Sequence, residues 1–72
     1  MKIYIVTAYR FGDKSLHSYV VGAFDSEELS IAQAEHERSW RGGKYVCEVI
    51  VMELNDPLKY KNYEVVYGIK DL

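Results

Sequence analysis

The sequence predicts an α+β domain: an antiparallel sheet of three to four strands with one helix packed on one face, in the order ββαβ(β). Three observations predict it. Runs rich in β-branched and aromatic residues bracket a single helix-like segment. That segment opens on a capping sequence and closes on Gly42-Gly43. The 72 residues suffice for one domain, residues 1–72, and no linker, repeat or low-complexity stretch divides them.

Residues 3–9 form the first apolar run and read as a strand. Residues 11–15, with Gly12 and Asp13, read as a polar loop. Residues 17–24 form a second run, so the two should make an antiparallel hairpin with a loop longer than two residues. Asp25-Ser26-Glu27-Glu28 is a helix start. With Asp25 as N-cap, Glu28 completes an acidic capping box; with Ser26 as cap the box is lost, but a good cap remains. The helix should run to about Trp40 and stop at Gly42-Gly43. At about 100° per residue, Leu29, Ala32, His36 and Trp40 share a stripe, taken as the core face. His36 should then be half-buried, and Ile31, nearly opposite, exposed. Residues 44–54 form the third strand, which Asn55-Asp56-Pro57 ends, and residues 63–69 a shorter fourth run.

The strands do not alternate cleanly between apolar and polar, as a sheet with one wet face should. Ile3 and Ile5 oppose Tyr4 and Val6; Tyr19 and Val21 oppose Val20 and Phe24; Val46, Ile50 and Met52 oppose Tyr45, Val49 and Val51. Both faces are apolar, so the second face calls for a cover: the C-terminal segment, a second subunit or another protein. Seven tyrosines fit a contact surface, although tyrosine is also an ordinary strand residue.

The formal net charge is −2, from 9 basic and 11 acidic residues, which argues against duplex DNA binding, where a basic stripe is expected. No stretch approaches the roughly 18 consecutive apolar residues of a membrane helix, and no signal peptide is expected. Cys47 is the single cysteine, so no intrachain disulfide can form. It reads as a small buried hydrophobe, and the chain as a cytoplasmic one.

No serine sits in a nucleophile elbow, and His17, His36 and Cys47 do not occur at paired metal-ligand spacings. The expectation is therefore no catalytic residue, no metal and no cofactor. Arg41-Gly42-Gly43-Lys44 could hold a phosphate through accessible N–H groups and two cations, or be a glycine cap and turn at a helix C-terminus, whose dipole repels anions. Tyr9, Arg10, Phe11, Lys14 and His17 crowd the first hairpin, where aromatics and cations could stack and pair with a nucleotide or anchor a protein.

The order I-Y-I-V, then V-V-G-A-F-D-S-E-E, a helix with spaced alanines, R-G-G-K-Y and a β run ending E-L-N resembles a family of short bacterial and phage ββαβ proteins. The resemblance covers residues 2–55 and leaves the tail from Asp56 unmatched. It implies a compact ββαβ domain of phage or mobile-element origin and carries over no functional residues. Two functions are weighed. One is a non-enzymatic module that binds and occludes a host or defence protein through Tyr4, Tyr19, Ile31 and Arg38. The other is a homo-oligomer that binds or sequesters a nucleotide through Tyr9, Arg10, His17, Arg41 and Lys44.

Overall fold

In the computed structural model, residues 1–10, 13–55 and 64–68 are described, the side chains of 13–16 excepted. Strands β1 (Lys2–Arg10) and β2 (Asp13–Phe24) are followed by helix α1 (Glu27–Trp40), then β3 (Tyr45–Glu53) and β4 (Glu64–Tyr67). Among the described residues these strands form one antiparallel sheet in the order β2-β1-β3-β4. The helix packs on one face of it. The α+β class and the element order are as expected from the sequence.

The central pair sets the geometry. β1 and β3 pair without interruption from Lys2↔Glu53 to Arg10↔Tyr45. Tyr4, Val6, Ala8 and Arg10 therefore share a face with Val51, Val49, Cys47 and Tyr45. Val6, Ala8, Cys47 and Val49 join Ala34 of the helix in the buried core. β2 starts earlier than expected, pairing Asp13 with Arg10, and its register shifts between Val6 and Thr7 and between Tyr9 and Arg10. The first shift inserts an extra residue, which turns Phe24 to the helix side opposite Tyr4. The expected grouping of Phe24 with Val20 is thus corrected: Phe24 packs against the core, and Val20 is 65% exposed.

Ser26, the second of the two candidate caps, is the N-cap: its Oγ accepts from the Leu29 N–H at 3.2 Å. At the other end the Gly43 N–H donates to the Arg38 carbonyl at 3.2 Å and the Gly42 N–H to the Ser39 carbonyl at 3.0 Å. This closing turn places Gly42 and Gly43 at φ 67° and 78°, in the left-handed region that glycine occupies without strain.

The helix is rotated from the expected orientation. Its buried residues are Ser30 and Ala34, with Glu37 and the C-cap Arg41 half-buried on the same stripe. Leu29 is 56% exposed and Trp40 72%, while Ala32 and His36 are exposed as well. Ile31, expected to be exposed, is half-buried. The cause is volume. Tyr4, Tyr19, Phe24 and Tyr45 already pack around the core, so the helix seats with its small residues inward. The Ser30 hydroxyl donates to the Glu27 carbonyl at 2.7 Å, so its burial leaves no polar group unpaired.

The turn after β3 places Asn55 at φ 67°. Asp56 and Pro57 lie outside the described residues, as do Tyr63 and Ile69 at the limits of the fourth apolar run. No helix is long and apolar enough to cross a membrane, among the residues described.

Candidate functional site

Helix α1 ends at the same end of the sheet at which β1 ends and β3 begins. This follows from the sequence order: the helix leaves Phe24, which pairs with Tyr4, and returns the chain to Tyr45, which pairs with Arg10. Arg10, Trp40, Arg41, Gly42, Lys44 and Tyr45 therefore converge, and they line an open cleft of about 510 Å³. Three of the six lining residues carry positive charge, and none carries negative charge. Among the described residues the ion pair joins the Met1 amino group to Glu53, away from the cleft, while the Glu37 carboxylate on the helix acts on Arg41 through its charge without a close ion pair.

The cleft's wall is organised around Arg41. Its guanidinium lies 4.1 Å from the Tyr45 ring centroid and 5.7 Å from that of Tyr19. The two rings are 5.6 Å apart and inclined at 58°. Beneath them the Tyr19 hydroxyl donates to the Glu37 carboxylate on the helix. Burial, and then this hydrogen bond, push the Tyr19 phenol up to about 12. A side-chain hydrogen bond to Tyr45 is the leading cause that pushes the Arg41 guanidinium up from its ordinary pKa, and because a guanidinium carries five N–H donors the others are left for a ligand. Trp40, at 72% exposure, offers an open indole face at the rim.

The residues expected to bind a ligand divide. Arg10, Arg41 and Lys44 meet at the cleft. Tyr9 points to the opposite face of the sheet, where its hydroxyl donates to Glu48 at 3.2 Å. His17 is exposed on β2 and does not line the cleft. The glycine turn works differently from one of its two readings: the Gly42 and Gly43 N–H groups are spent on helix carbonyls, so any anion here is held by side chains. Trp40 and Tyr45 were not expected, although the string Trp40-Arg41-Gly42-Gly43-Lys44-Tyr45 carries the signal. An aromatic flanks each cation, and the turn folds the two ends together.

The residues expected to contact a protein do not form one surface. Tyr4 and Tyr19 pack against the core on the helix side. Ile31 and the exposed Arg38 share a flank of the helix, where Arg38 also borders a recess of about 370 Å³ with Glu35, Ser39 and Tyr67. Cys47 is buried, and burial pushes its thiol up, as does the nearby Glu37 charge. No family model matches the chain, and no curated protein or solved structure matches it.

Proposed function

We propose that this chain binds a small anionic ligand carrying a planar ring, of the nucleoside phosphate class, in the cleft between the end of α1 and the start of β3. The observation behind the proposal is the convergence of Arg10, Arg41 and Lys44 with an exposed indole and a tyrosine ring in one open cleft. Arg10, Arg41 and Lys44 face a common space and repel one another; the Glu37 carboxylate offsets part of this at Arg41, and an anion relieves the rest. Trp40 supplies a stacking face for a base, an interaction worth about 1–3 kcal/mol per base in nucleic-acid binding. Arg41, held 4.1 Å from the Tyr45 ring centroid, suits a phosphate or the rim of a base, and Lys44 supplies a point charge on a flexible stem. The reading is of a binder, carried by the cations and aromatic rings that line the cleft.

Trp40 is the only tryptophan, so it reports on its own site. Titrating the protein with AMP, GMP, adenosine and inorganic phosphate should quench tryptophan fluorescence saturably with the nucleotides. Adenosine and phosphate alone should bind more weakly, each lacking half of the contacts. Arg41→Gln should weaken AMP binding by about tenfold, the loss of one charge-assisted hydrogen bond. Nucleotides that neither quench Trp40 nor raise the thermal midpoint would sink the proposal, since a ligand of the native state alone must raise that midpoint.

A further inference from the structure

The face of the sheet away from the helix carries Ile3, Ile5, Thr7 and Tyr9 of β1 beside Met52, Ile50, Glu48 and Val46 of β3. Val20 and Ala23 extend it on β2, and Val65 on β4. Ile3, Ile5, Val46, Ile50, Met52 and Val65 all keep part of their surface accessible. We infer that this face is covered by the same face of a second copy, two sheets packing back to back with their helices outward.

Three observations select a second copy. The first is charge. Glu48 is the one charged residue that the registers place on this face among the described residues, and it already accepts the Tyr9 hydroxyl at 3.2 Å. A two-fold interface brings a patch against itself, so a nearly neutral apolar patch can meet its copy with little like-charge repulsion. The second is area. The fold measures 33 × 25 × 16 Å, so its broad plane spans at most about 800 Å², a ceiling that equals the contribution of one partner to a standard stable interface. The third is need. Among the described residues the buried hydrophobic core consists of Val6, Ala8, Ala34, Cys47 and Val49, small side chains in a domain of a size that commonly needs a second subunit. Sheet-on-sheet packing at a spacing of about 10 Å would give those strands a second apolar layer.

The inference stands apart from the cleft, which lies on the helix side. Sedimentation equilibrium of the full chain over a concentration series tests it. The expected result is a doubling of the 8.4 kDa mass and a thermal midpoint that rises with protein concentration. Thr7→Glu sets a second carboxylate beside Glu48 at the centre of the face and should return the monomer mass with an unchanged far-ultraviolet circular dichroism spectrum. If that variant does not fold, Val20→Glu, at a 65% exposed position, replaces it. A wild-type monomer at every concentration overturns the inference, whether the chain's own tail or a different protein covers the face. A dimer that survives Thr7→Glu, or Val20→Glu where that replaces it, overturns it too, because the contact would then lie elsewhere.

Discussion

Tyr19 ties three elements together. Its ring leans on Tyr45 of β3, its hydroxyl donates to Glu37 of α1, and Arg41 lies over both rings. Burial first, and then the hydrogen bond, raise its phenol from the ordinary 10.0 to about 12. The fold therefore favours the protonated phenol. That contribution to stability is complete below pH 10 and is lost as the pH climbs from about 10 to about 12. Tyr19→Phe removes the titrating group. The melting midpoint of the wild type should fall more steeply over this alkaline window than that of the variant, and parallel curves would show that the phenol is not coupled to folding. At neutral pH the variant should lose about 1–2 kcal/mol in urea denaturation, since the Glu37 carboxylate loses its donor. In the sequence Tyr19 reads equally well as a contact residue and as a strand residue. Nothing local says that Glu37 stands above it.

The helix ends were legible in the sequence, but the side it buries was not. Ser26 and Gly42-Gly43 fix the ends through local backbone chemistry, which needs no knowledge of the sheet. The buried side depends on volume across the interface. Leu29, Ala32, His36 and Trp40 made the largest apolar stripe, yet the sheet already presents aromatic bulk, and only Ser30 and Ala34 fit above Val6 and Val49. The alternation of β1 and β3 was legible for the same reason as the ends, being a property of a regular strand. Phe24 was not: Gly22, which pairs with Val6 at the register shift, is compatible with a bulge but does not by itself set one. The rotation has a measurable consequence. Ala34→Leu forces extra volume into the closed contact and should cost about 1–3 kcal/mol in urea denaturation. Leu29→Ala removes a larger side chain from an exposed position and should stay within about 0.5 kcal/mol. The reverse ranking would mean that the Leu29 stripe is the buried one.

Across the whole molecule, three cations gather at one end of the sheet, while the carboxylates at the other end share it with Lys2 and the Met1 amino group. The antiparallel registers put Glu53 and Glu64, with Glu27 and Glu28 of the first helical turn, at the end away from the cleft. Arg10, Arg41 and Lys44 gather at the other end. The net charge of −2 conceals this local gathering; it argues against duplex DNA binding but leaves a local anion site open. The negative end of the helix dipole also lies at the cleft, but it amounts to about half a charge and its carbonyls are capped by the glycine turn. Three full cations outweigh it. An anion approaching the molecule is therefore drawn toward the cleft end. Such steering acts through solvent, where the screening length is about 8 Å at physiological ionic strength. AMP affinity, read from Trp40 quenching, should thus fall steadily as salt is raised, and the association rate should account for part of the fall. Adenosine, which has the ring without the charge, is the control and should bind with little salt dependence. Equal salt responses for the two would mean that stacking on Trp40 holds the ligand and that the cations take no part. A fall for AMP alone would place its phosphate among Arg10, Arg41 and Lys44, and Lys44→Gln should then flatten the salt response by removing one of the three charges that produce it.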